Sequence, residues 1–254
     1  MSFDADLTAC AAMVEKADPQ RFSAAMVAPV SARRILFPIY AFNVEVARAP
    51  WVTQESMIAE MRLQWWRDAL EEIAAGGTVR RHEVVTPLSK VIDPQGAAAL
   101  DRLIVARRWD IYRDAFEDED HLTDYLDATA GGLMWTAARA LDKDTQGRES
   151  VYALGRAAGL ARFLQAVPAL EAAGRIPLVD GRPETIASRA KETLAAVAGS
   201  AARRAVSGSA RPALTEAFLA RDVLRQVVHA PQRVASGTLG VSPLRRSLRL
   251  WQWS

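Results

Sequence analysis

Apolar residues recur every three or four positions along most of this sequence, and its β-branched runs are short. That spacing belongs to one face of an α-helix, not to the alternation of a strand. The clearest case is MIAEMRLQWWRDALEEIAA, within residues 54–75. Ile58, Met61, Trp65, Leu70 and Ile73 are expected to form its apolar face, and Gly76-Gly77 its stop. Trp65 then reads as core. Trp66, about 100° further round, reads as an edge or contact residue.

Other segments follow the same rule. Asp18 and Pro19 have the order N-cap then N1, opening a helix to about Val27. Ser31 is expected to cap a helix that runs through Ile39 to Ala49, kinked or delayed by Pro38. Further helices are expected over 84–92, 97–116, 121–141, 150–167 (ended near Pro168), 185–206 and 212–228, with 174–184 as a loop. There is no internal repeat and no long linker. The expectation is one all-α domain over 1–254, of roughly eight to ten helices, with strand content close to nil.

A chain of 254 residues, half hydrophobic and 24% charged, can bury a core without metals or disulfides. Its lone cysteine, Cys10, excludes an intrachain disulfide and fits a reducing compartment. A net charge of +2, from 32 bases and 30 acids, gives no case for nucleic acid. The opening MSFDADLTAC lacks the apolar run of a secretory signal. No stretch of about 18 apolar residues marks a membrane span. The expected location is cytoplasmic, with peripheral attachment to the inner face of a membrane as an added option.

Standard catalytic signatures are absent: no GxSxG, GxGxxG, P-loop, HExxH or CxxC. His82, His121 and His229 lie far apart and read as surface or helix-end residues. Asp114 and Asp118, and Asp120 and Asp124, have the i, i+4 spacing of a cation clamp. The plainer reading is a solvated link with acids favouring a helix N-terminus. No metal ligand is assigned.

Five segments occur in a telling order: PVSARRILFPIYAFNVE, MRLQWWRDALEEI, YLDATAGGLM, LGRAAGLARFLQAVP and GRIPL. Together they resemble the squalene/phytoene synthase family over roughly residues 18–240. The resemblance implies the all-α isoprenoid-synthase bundle, with helices around a deep central cavity. In active members two aspartate-rich helices hold magnesium ions that bind the substrate diphosphate. The metal neutralises the leaving anion, and carboxylates on one helix face hold the metal.

The first family motif, approximately YAFCRxxDDxxD, begins here at Tyr40, Ala41 and Phe42. It puts Asn43 and Val44 at the cysteine and arginine positions, and Ala47, Arg48 and Trp51 at the metal positions. Glu45 remains, but points about 200° away from Ala47. The second motif, approximately GxAxQxxNxxRDxxxD, begins at Gly155 and Ala157. It puts Gly159, Arg162 and Gln165 at the glutamine, asparagine and arginine positions, and Ala166 and Leu170 at the aspartates. No catalytic residue, metal or cofactor is therefore assigned.

The candidate cavity residues are Tyr40, Phe42, Asn43, Glu45, Arg48, Trp65, Asp127, Gly159, Arg162 and Gln165. Arg48 and Arg162 could grip an anion such as a lipid phosphate, or pair with acids such as Glu45 and Asp127. AFNVE, MRLQWW and AVP look more like the non-catalytic branch that includes the mitochondrial complex I assembly factor of this fold. The resemblance thus implies an assembly or scaffold protein with a partner complex. A second reading is a lipid binder, with an isoprenoid or phospholipid in the cavity. The alternative is an active prenyl transferase, with magnesium held by Glu45, Asp124 and Asp127. In the tail, at about 242–254, Leu244, Leu248 and Trp251 have i, i+4, i+7 spacing beside Arg245, Arg246 and Arg249. Such a helix can lie in a membrane interface, or pack its leucines on the bundle and leave the arginines wet.

Overall fold

A computed structural model describes residues 4–53, 55–198 and 201–253. The expected helix start at Gln54 and the last residue of the tail lie outside the described residues. Helices dominate, and no strand occurs among the described residues.

The first helix, α1 (Ala5–Ala17), has no counterpart in the sequence reading, although Leu7, Cys10 and Val14 repeat at helical spacing and are buried. Its start is fixed by Asp4, which accepts from the Leu7 N–H at 2.9 Å. Asp18 caps α2 (Pro19–Met26) in the same way, and Pro19 occupies its first turn. Next come α3 (Val30–Arg48), a 3₁₀ turn at Ala49–Trp51, and α4 (Ser56–Ala74). After α5 (Val85–Leu88), Asp93 caps α6 (Pro94–Arg107), so the helix begins at Pro94, three residues ahead of the expected start at 97. The predicted continuation to Phe116 stops in a 3₁₀ turn at Arg108–Asp110.

The segment 121–141 is not one helix. It divides into α7 (Glu119–Leu126), a π-helical turn at Asp127–Gly131, and α8 (Gly132–Leu141). Then follow α9 (Arg148–Ala172), α10 (Pro183–Ala196), α11 (Ala201–Ala205), a 3₁₀ stretch at Arg211–Ala217, α12 (Ala220–His229), α13 (Gln232–Ala235) and α14 (Pro243–Trp253).

Pro38 and Pro168 were expected to break or delay helices, yet both lie inside continuous ones. Around Pro38, the consecutive residues Leu36 to Val44 are all buried, so α3 is packed on every side. Such packing outweighs the local cost of one lost backbone hydrogen bond. The long α9 is tied to the π turn by missing side chains. A Cβ on Gly159 would stand 2.6 Å from Ala130 Cβ, and one on Gly155 2.7 Å from Gly131 Cα. Only glycine permits that approach.

The face of α4 also differs from expectation. Its buried residues are Ala59, Leu63, Trp66, Ala69, Leu70 and Ile73. Trp66 is 5% exposed and meets Phe42 edge-on at 5.3 Å, whereas Trp65 is 36% exposed. The large residues Ile58, Met61 and Trp65 form an outer stripe instead. The inner stripe runs through two alanines, whose small side chains let α4 lie close to its neighbours.

Candidate functional site

A cavity of about 270 Å³ lies where the end of α3 faces the middle of α9. Ala47 and Trp51 line one side of it, and Gly159, Arg162, Ala166 and Leu170 the other. The two segments aligned to the family's metal motifs thus face one space. Arg21, Arg107, Asp110 and Tyr125 complete its polar wall.

Each charge in that wall is matched inside the protein. The fully buried Glu216 accepts from Arg21, and its Oε2 lies 3.1 Å from Arg162 Nη2. Arg21 also reaches Asp18 at 2.7 Å, and Arg162 donates to the Glu216 carbonyl at 3.0 Å. On the other side, Arg107 pairs with Asp110 at 2.9 Å and donates to Tyr125 Oη at 2.5 Å. Tyr125 in turn donates to Asp110 at 3.0 Å. The backbone carbonyl of Asp110 accepts from Arg175, whose guanidinium stands 4.7 Å from the Trp51 ring centroid.

The titration behaviour follows. Burial opposes the charge of Arg21, but Glu216 and Asp18 outweigh it and raise its pKa. Burial and the neighbouring Arg21 pull Arg162 down. Burial, and then Glu216, push the Tyr40 phenol well above its ordinary range.

The predicted site residues divide into groups. Gly159 and Arg162 line the cavity. Tyr40, Phe42 and Asn43 are buried in α3 and do not line it: Phe42 meets Trp66 of α4 instead, and Tyr40 Oη and Asn43 Oδ1 have no hydrogen-bond partner among the described residues. Glu45, Arg48 and Trp65 lie elsewhere. Arg48 is exposed and pairs with Glu45 at 3.1 Å, and Glu45 shares an outer groove with Met61, Trp65 and His82. One residue step, 100°, turns Arg48 off the face that Ala47 shares with Trp51. Asp127 is held bidentately by Arg156, at 2.7 Å on both oxygens, not by Arg162. Gln165 is exposed and donates to the Leu239 carbonyl at 3.3 Å.

These residues do not fit a magnesium–diphosphate clamp. The aligned metal positions lining the cavity are apolar, and its two carboxylates, Asp110 and the adjoining Glu216, already serve arginines. Among the described residues, no group of three or more His, Cys, Asp or Glu is placed to hold a metal ion. Glu45, Asp124 and Asp127 do not converge: Glu45 faces the outer groove, Asp124 is exposed and Asp127 is held by Arg156. Sequence reasoning missed Arg21, Arg107, Asp110, Tyr125 and Glu216. The last carried a signal, since it is the only acid between Glu192 and Asp222.

A model of the squalene/phytoene synthase family matches residues 14–180. The chain belongs to the squalene/phytoene synthase family. Its fold is the all-α isoprenoid-synthase bundle. A dehydrosqualene synthase solved in complex with ligand superposes with a TM-score of 0.74 at 18% identity, over 98% of this chain and 95% of that one. A squalene synthase from Alicyclobacillus acidocaldarius does so with a TM-score of 0.58 at 19% identity, over 98% and 88%.

In sequence this family member is similar to complex I assembly proteins. It is 28% identical over 166 residues to the NADH dehydrogenase (ubiquinone) complex I assembly factor 6 homolog of Drosophila melanogaster, covering 63% of this chain and 50% of that protein. It is 25% identical over 162 residues to the Mus musculus assembly factor 6, covering 63% and 48%. The chain spans about half the length of these relatives.

Proposed function

We propose that this family member is a non-catalytic assembly or scaffold factor for a respiratory complex of the complex I type. In this reading it works at the inner face of a membrane and uses no cofactor. The observation that carries it is the cavity wall. Ala47, Trp51, Ala166 and Leu170 stand where the family resemblance puts metal ligands, beside arginines neutralised within the fold. Without free carboxylates nothing gathers the metal that a diphosphate leaving group needs. The likeness to complex I assembly factors supplies the partner class.

The alternative, an active prenyl transferase, requires acids that converge, and Glu45 and Asp127 are each held by an arginine. A lipid held in the cavity is the weaker second reading. Its volume of about 270 Å³ is just under the usual range of ligand pockets, about 300–1,000 Å³.

Two measurements test the proposal. Purified protein incubated with farnesyl or geranylgeranyl diphosphate and magnesium is expected to release no pyrophosphate above background. Turnover abolished by a chelator would overturn the non-catalytic part. Affinity purification from cells is expected to recover subunits of a complex I-type NADH dehydrogenase, and their consistent absence would overturn the assembly part.

A further inference from the structure

Helix α14 is docked by an unexpected side. None of its residues is fully buried. Arg245 and Arg249 reach down to Asp222 at 2.8 and 2.7 Å, and Arg246 donates to the Pro19 carbonyl at 3.2 Å. Leu250 and Trp253 pack on Ala24, Phe218 and Leu219. At 100° per residue, Arg246, Arg249, Leu250 and Trp253 occupy one side, and Leu244, Leu248 and Trp251 the side roughly 180° away. Those three are 83%, 50% and 74% exposed. Both sequence-level alternatives for the leucines therefore miss the arrangement. The arginines, with Leu250 and Trp253, dock the helix, and an apolar stripe is left facing solvent.

The charge of the C-terminal segment is one-sided. Residues 201–253 contain nine arginines, and their acids are Glu216 and Asp222, in a chain with 32 bases and 30 acids overall. Both acids are buried and ion-paired within the protein. Arg204, Arg211, Arg221 and Arg225 are exposed. Arg221 borders the same hollow as Trp253, and Arg203 stands 5.3 Å over the Trp253 ring. The solvent-facing charge of residues 201–253 is thus positive, and Arg203 and Arg221 stand beside Trp253 of α14.

We propose that α14 and its arginine collar form a docking face for an anionic bilayer surface, with Leu244, Leu248 and Trp251 entering the headgroup boundary. Two weak signals are needed for stable attachment, and both are present: a short apolar stripe carrying tryptophan, and surrounding cations that attract acidic headgroups. A second copy of this chain fits worse, because a symmetric pair would set two positive faces together. The proposal deepens the location part of the proposed function and does not depend on the assembly role.

The test is co-sedimentation of the full chain with phosphatidylcholine vesicles, with and without phosphatidylglycerol. Binding is expected to be about tenfold stronger to the anionic vesicles. It should be largely released by 1 M salt, where the Debye length falls from about 8 Å at physiological strength to about 3 Å. The variant Leu244→Ser/Leu248→Ser/Trp251→Ser is expected to lose about tenfold or more with an unchanged circular dichroism spectrum. Arg204→Glu/Arg221→Glu, at exposed positions, is expected to lose a similar factor and serves if the first variant misfolds. Equal binding to both vesicle types, no binding to either, or wild-type binding by either folded variant overturns the proposal. So does a wild-type dimer that the stripe variant abolishes without any vesicle binding, which would make a second copy the occupant. Vesicle binding without recovery of complex I subunits removes the assembly role alone, and the reverse result removes the docking face alone.

Discussion

Glu216 and Asp222 are two buried acids close together in sequence, and each is held between two arginines. Their surroundings differ. The arginines on Glu216 come from α2 and α9, far apart in the chain, and both side chains are mostly enclosed. Those on Asp222 come from the single helix α14 and approach from solvent, with Arg245 still 55% exposed. The first arrangement joins distant elements at the cavity wall, where a lost partner strands a charge that water reaches poorly. The second is a clasp for one surface helix, and its arginines return to water when released.

The comparison breaks most visibly at Glu216. Glu216→Ala leaves Arg21 and Arg162 without their shared counter-charge. The expected loss is about 3–5 kcal/mol of stability, typical of half-removed buried pairs. Urea denaturation checks it, and a loss under about 1 kcal/mol would mean that the arginines find other partners or water.

Asp222→Asn is the matched change at the surface. It is expected to cost about 1–2 kcal/mol, because a neutral amide replaces charge-assisted hydrogen bonds while the arginines rehydrate. The same acid gives a pH dependence. Burial opposes its ionisation, but Arg249 and Arg245 outweigh burial and hold its pKa below the ordinary carboxylate value. Its contribution is therefore fully present above the unfolded aspartate pKa of about 3.9, and is lost as pH falls through the folded value. Backbone NMR shifts of α14 followed down in pH should show its release in the wild type. In Asp222→Asn they should show no such transition.

Local chemistry made much of this legible beforehand. The helical period announced an all-α chain, and the family resemblance set the segments of α3 and α9 on one cavity. Ala47, Trp51, Ala166 and Leu170 do face one cavity. Tertiary packing hid the rest. The π turn at Asp127–Gly131 lies close against α9 because Gly155 and Gly159 leave room for it, which neither segment states alone. Trp65 and Trp66 exchange roles because the inner face of α4 is built on Ala59 and Ala69, so the large apolar residues mark the wrong stripe. Glu216 meets Arg21 across 195 positions of sequence, a pairing that no local spacing encodes.

The smallest effect separates the regions most finely. Arg245→Ala removes one of the two arginines on Asp222, and Arg249 keeps both carboxylate oxygens, at 2.7 and 3.0 Å. The acid is therefore not orphaned, and the lost side chain was half in water already. The expected cost is below about 1 kcal/mol, within the range of exposed pairs. Arg162→Ala is the corresponding deletion at Glu216, where Arg21 also remains; the variants differ in burial and in the bond that Arg162 makes to the Glu216 carbonyl. If depth is what distinguishes the two acids, urea denaturation should rank Arg162→Ala clearly above Arg245→Ala. Equal costs would show that the number of partners, not their access to water, sets the strength of both clusters.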